Sequence, residues 1–173
     1  MHRMSRSRRG EGGFTLVELV AVMVLAGILA AATFPALGSI AAAKAAGVQR
    51  QIQRDLTFAR ERAVNTGVRT WVVFDVQGNS YSVLAEPEGS PGRANAAVIS
   101  DAATGRMYRI GLGNEAGASL VSANIAGASE VGFDWRGRAV TSGGVSLSAA
   151  GVVTITGGKT VTIRPGSGLA TIP

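Results

Sequence analysis

The sequence predicts an α+β protein in which one long N-terminal helix, membrane-spanning at its start, packs on a head built from an antiparallel β-sheet. Three observations carry that expectation. Residues 14–43 hold a single charge, an apolar stripe of helical period follows directly, and glycine-punctuated β-branched runs fill the chain from residue 68 onward. With 173 residues, 46% of them hydrophobic, the chain has room for one modest domain and a membrane segment, and little more. The expected division is a basic leader over 1–13, a transmembrane helix over 14–43, an amphipathic continuation over 44–67 and a β-rich head over 68–173.

The first element opens after the basic stretch MHRMSRSRRGEGG, and between Phe14 and Ala43 its only charged residue is Glu18. A helix needs about 20 apolar residues to cross the hydrocarbon of a bilayer. The uncharged run from Leu19 to Ala43 supplies them. Four arginines before it, and sparse charge after it, favour a cytoplasmic N-terminus and an exported C-terminal part. An ordinary signal peptide would also show a basic start and an apolar core. Its core usually runs to ~7–15 residues, however, and carries no carboxylate near its start. A charged side chain within a bilayer costs roughly 2.5–3.5 kcal/mol, so Glu18 points to a function and to a partner.

The string Gly13-Phe14-Thr15-Leu16-Val17-Glu18-Leu19 resembles the prepilin cleavage motif of type IV pilins and type II secretion pseudopilins, a pilin-like fold. The resemblance implies cleavage after Gly13 by a membrane prepilin peptidase, N-methylation of Phe14, and polymerisation through the apolar helix. Glu18 would pair with the amine of Phe14, on a neighbouring subunit or on its own chain. A carboxylate and an ammonium buried together avoid much of the cost of either alone. Pro35 also fits the resemblance, as a helix kink that removes a backbone hydrogen bond.

Past Ala43, the residues Val48, Ile52, Leu56, Ala59 and Ala63 recur at helical spacing, with Arg50, Arg54, Asp55, Arg60, Glu61 and Arg62 mostly on other faces. Gly67 supplies a C-terminal stop, so one helix is expected from about Phe14 to Thr66. Strands are expected near 69–76, 80–85, 106–112, 120–125, 130–135, 145–148, 152–156 and 160–164. Gln77-Gly78-Asn79 and Gly157-Gly158-Lys159 are expected hairpin turns. The proline- and glycine-containing segment 86–105 reads as a long exposed loop, either a partner contact or a disordered connection.

The run Asp55 to Val64, the strand after it, Val131 to Arg138, and the segments 152–155 and 160–163 resemble GspH/FimT-type minor pilins and pseudopilins. That resemblance implies a structural subunit of a type II secretion pseudopilus or type IV pilus. It would sit in the bacterial inner membrane as a single pass with a periplasmic head, beside other pilins or pseudopilins, the assembly platform and the prepilin peptidase. The alternative it raises is a DNA-binding minor pilin serving natural transformation.

Composition closes off other classes. There is no cysteine, and the one histidine, His2, lies in the leader, so thiolate metal sites, a Cys nucleophile and a Ser-His-Asp triad are all excluded from the mature chain. The acidic residues show no metal-ligand spacing, and the expectation is a non-enzyme with no metal and no cofactor. Of the formal charge of +6, half lies in residues 1–13. DNA is therefore a weakly supported partner, for which Arg136, Arg138, Lys159 and Arg164 would have to converge on one face. The C-terminal Gly-Arg-x-Arg motif of DNA-binding FimT-type pilins is not matched, since Gly137-Arg138-Ala139-Val140 has valine in the last place. Scattered solvated charge is the simpler account of these four residues. Likewise Trp71, Phe74, Tyr81, Tyr108, Phe133 and Trp135 read as core or rim packing before they read as base-stacking platforms.

Overall fold

A computed structural model describes residues 15–101, 104–113 and 117–173, with residues 31–37 described by their backbone alone. The first element is one helix, α1 (Leu16–Thr66). Thr15 caps it, Glu18 N–H donating to Thr15 Oγ1 at 3.3 Å and Leu19 N–H to Thr15 O at 3.1 Å. At the other end Gly67 takes φ 70° and its N–H returns to Ala63 O at 3.0 Å, closing the helix in the left-handed conformation that glycine adopts without strain. The chain divides into two compact units between Ser39 and Ile40.

In the first unit the helix is apolar all round. From Leu16 to Leu29 every large apolar side chain is exposed. A helix of this kind belongs in lipid or among other helices. Taken over the described residues, which omit the side chains of 31–37, no helix is long and apolar enough to cross a membrane. The expected span from Phe14 to Ala43 runs through that omitted stretch, which also holds Pro35, and Gly13 and Phe14 lie outside the described residues.

The second unit is the head, with the C-terminal half of α1. The first strands, β1 (Thr70–Asp75) and β2 (Ser80–Ala85), form a hairpin whose turn is held by Gly78 N–H donating to Asp75 Oδ1 at 2.8 Å. The next elements are β3 (Ala97–Val98), β4 (Arg109–Gly111), β5 (Leu120–Asn124), β6 (Glu130–Phe133), β7 (Ala139–Val140), β8 (Gly151–Ile155), β9 (Lys159–Ile163) and β10 (Ala170–Thr171). Every pairing is antiparallel, which gives two sheets where one was expected. The first has the order β3-β2-β1-β6-β7, with β4 also on β2; the second has β10-β9-β8-β5.

The stripe Val48, Ile52, Leu56, Ala59 and Ala63 is fully buried and shares one core with both sheets. Alternation along β1 explains how. Val72 and Phe74 face that core, while Trp71 on the opposite face packs with Leu84 and Val140. Each fully buried Val, Ile or Leu contributes about 1.5–3 kcal/mol, so the stripe is a main source of head stability.

Three expectations are corrected. Residues 145–148 form no strand; Ser146 makes an isolated bridge to Val140, and the short strand there is β7. Neither β3 nor β10 was anticipated, because a two-residue strand leaves no periodicity to read. Segment 86–105 is not wholly exposed: β3 pairs with β2, Ala96 and Val98 pack against the Trp71 cluster, and both Glu86 and Ile99 are buried.

Gly132 sits opposite Trp71 in the β1–β6 ladder, and a Cβ there would fall 2.6 Å from Trp71 Cε3. Gly132→Ala is therefore expected to overpack the outer face and destabilise the head by about 1–3 kcal/mol. The thermal midpoint followed by near-ultraviolet circular dichroism checks this; an unchanged midpoint would show that the indole can move aside freely.

Candidate functional site

The site the sequence singles out is the start of α1. Thr15, with Glu18 three residues on, has the spacing of a capping box, a signal present in the sequence and overlooked beside the cleavage motif. Its carboxylate lies in the first turn, where the helix dipole favours negative charge. Glu18 is exposed in the single chain and forms no ion pair with another described residue. Around it stand only apolar neighbours, from Leu16 to Val22. A carboxylate in such a segment needs a cation from elsewhere.

Farther along α1, polar side chains lock the helix to the head. Gln49 Nε2 donates to Thr160 O at 2.7 Å and Gln53 Nε2 to Ala170 O at 3.1 Å, both in the second sheet. Arg60 Nε donates to Gly137 O at 3.0 Å and Ser167 O at 2.9 Å, tying together two turns 30 residues apart in sequence. The Asp55 carboxylate accepts from the hydroxyls of Tyr81 and Tyr108, the latter at 2.8 Å, and Phe58 stacks on Tyr108 at 5.2 Å. Sequence reading placed Asp55 on an outer face because its partners lie 26 and 53 residues away.

The four basic residues weighed for nucleic acid occupy different settings. Arg138 is bonded to Asp134, Nε to Oδ2 at 2.8 Å, and the Arg136 guanidinium lies 4.3 Å from the centre of the Trp135 ring. Arg164 follows β9 at one end, and Lys159 opens the same strand at the other, roughly 16 Å away for five extended residues. Burial raises the Asp134 carboxyl. The N–H groups of Arg138 and Arg136, together with the Arg138 guanidinium, outweigh that and hold it below the ordinary carboxylate value. Among the described residues no group of three His, Cys, Asp or Glu could hold a metal ion.

A helix built for lipid or for other helices, joined to a two-sheet head, is the build of a pilin-like filament subunit. Two family models match the chain: the prokaryotic N-terminal methylation motif over residues 8–34, and type II transport protein GspH over residues 49–167. The second covers more than half of the sequence, and the chain belongs to the GspH family. It is thus a minor pseudopilin of type II secretion, from a family of structural subunits that assemble with other pseudopilins, and its methylation motif implies processing by a prepilin peptidase. Among solved structures, the minor pseudopilin EpsH from the type 2 secretion system of Vibrio cholerae is similar, with a TM-score of 0.55 and 12% identity over 75% of this chain and 94% of that one. At that identity the likeness speaks to the fold. No curated protein matches the chain.

Both tyrosines of the chain are held by Asp55. Burial, followed by the Asp55 charge and hydrogen bond, pushes Tyr81 well above its ordinary value of 10.0; burial and then the Asp55 hydrogen bond raise Tyr108. Because both folded values are raised, the stability these groups contribute is present below pH 10 and is lost as pH rises further. Tyrosinate absorbance should therefore appear only together with loss of near-ultraviolet dichroism. In Asp55→Asn the two tyrosines should ionise at lower pH than in the parent; tyrosines titrating freely near 10 in the folded parent protein would refute the network.

Proposed function

We propose that this pseudopilin is cut between Gly13 and Phe14, methylated on the Phe14 amine, and built into the pseudopilus through α1, with Glu18 receiving the Phe14 amine of an adjoining subunit. Before assembly the apolar half of α1 crosses the inner membrane once, N-terminus cytoplasmic and head periplasmic. The observation that carries the reading is a carboxylate, Glu18, alone in a helix otherwise apolar on every side from Leu16 to Leu29. Such a helix leaves lipid at little cost when the new neighbours are equally apolar, and one buried charge pair fixes which neighbour sits where. The head, held to α1 by the buried stripe and by Gln49, Gln53 and Arg60, is carried along and displayed.

Glu18→Lys separates processing from assembly. Removing one partner of a buried pair costs about 3–5 kcal/mol, and reversing its charge adds repulsion to that loss. The variant is expected to enter the membrane and to be cleaved, its mature mass beginning at methylated Phe14 when the peptidase is present, yet to be missing from sheared pseudopili. Incorporation at the parental level would sink the proposal, and so would a parent chain whose mass shows no cut after Gly13.

A further inference from the structure

Glu86 follows β2, and its N–H donates to Arg69 O at 3.1 Å at the start of the first hairpin. The residue is only 7% exposed, and its Oε1 is buried without a hydrogen-bond partner. It takes part in no ion pair among the described residues. Other carboxylates in the head are treated differently, the half-buried Asp55 being bonded by two tyrosines and the buried Asp134 by the N–H groups of Arg136 and Arg138. A buried oxygen acceptor left unpaired forfeits its hydration with no return, so an orphan of this kind calls for a ligand or a neighbour.

Glu86 is one wall of an open cavity of about 520 Å³ on the head, together with Val68, Pro87, Glu88, Pro91 and Trp135. The composition has a definite chemical sense. Valine, the prolines and the indole, which is 55% exposed, suit an aliphatic stem, while Glu86 and Glu88 suit a cation at its tip. Arg69 also borders the cavity, but its Nη1 lies only 3.1 Å from where a Cβ on Gly144 would stand, packed against that turn. The Trp135 ring already receives one guanidinium, that of Arg136. A planar guanidinium both stacks on an indole and donates a fork of hydrogen bonds to a carboxylate, which a lysine ammonium cannot do at once.

We infer that this cavity is a docking site for an arginine side chain presented by a neighbouring protein subunit, with Glu86 as its acceptor and Trp135 as its wall. That the neighbour is a pseudopilus subunit rests on the proposed assembly; the chemistry of the cavity does not. Docking would bring a cation beside the Glu86 and Glu88 carboxylates and would set the azimuth of the head on its neighbour, a contact distinct from the one made by Glu18.

Full-length protein in detergent is titrated with the capped peptide acetyl-Ala-Arg-Ala-amide, following tryptophan emission. Of the two tryptophans Trp71 is buried, so the response reports Trp135. The expected result is a saturable, salt-weakened change that is at least about tenfold weaker in Glu86→Gln and in Glu88→Arg. It should be unaltered in Glu61→Gln, whose parent carboxylate is exposed on α1 away from the cavity. Glu88 is exposed on its loop, so that variant keeps the test valid should Glu86→Gln fold poorly. Absence of saturation in the parent, affinity in both cavity variants equal to the parent's, or equally tight binding of acetyl-Ala-Gln-Ala-amide or of free putrescine would overturn the inference. Glu18→Lys should bind the peptide as the parent does, so failure of the assembly proposal and failure of this one give different results.

Discussion

The head depends on the seam between one face of α1 and the two sheets. Val48, Ile52, Leu56, Ala59 and Ala63 all enter the same core as Val72 and Phe74 of the first sheet and Val153, Ile155, Val161 and Ile163 of the second. Neither sheet is a closed unit. A small sheet buries too little by itself, and here each presents one apolar face that only the helix and the other sheet can cover. All five of these helix residues are buried, the two alanines completely. The polar contacts made by Gln49, Gln53 and Arg60 run along the margins of this seam and fix its register, because a side-chain donor finds its carbonyl in one alignment alone.

The same helix obeys two different rules along its length. Over its first part, apolar residues occupy every face, and no internal core explains them. Over the second, they keep to a stripe and charges take the rest. The change falls near Lys44, the first charge after Glu18. The proposed assembly gives this division its meaning, since one part of the helix would then meet lipid or sister helices while the other packs against its own head.

Much of this was legible because it is periodic. The stripe, the stop at Gly67 and the strands β1, β2, β8 and β9 each carry a run of side chains long enough for spacing to be read. What escaped was set by contacts distant in sequence. β3 and β10 are strands because β2 and β9 offer them an edge, not because Ala97, Val98, Ala170 and Thr171 demand it. The split into two sheets could not be read either, since strand order is a property of pairing rather than of any one strand. Asp55 reads as a surface charge until Tyr81 and Tyr108 are brought to it. The candidate site divides the same way. Glu18 stands out as an anomaly in an apolar run, whereas Glu86, within a proline- and glycine-rich stretch, looks like any loop residue until its burial is seen.

Thr15 and the helix itself satisfy the N–H groups of Glu18 and Leu19, using atoms that all lie downstream of residue 14. Under the proposed cut before Phe14, both of these hydrogen bonds survive maturation, which would change the charge at the start of the helix without drawing on either of them.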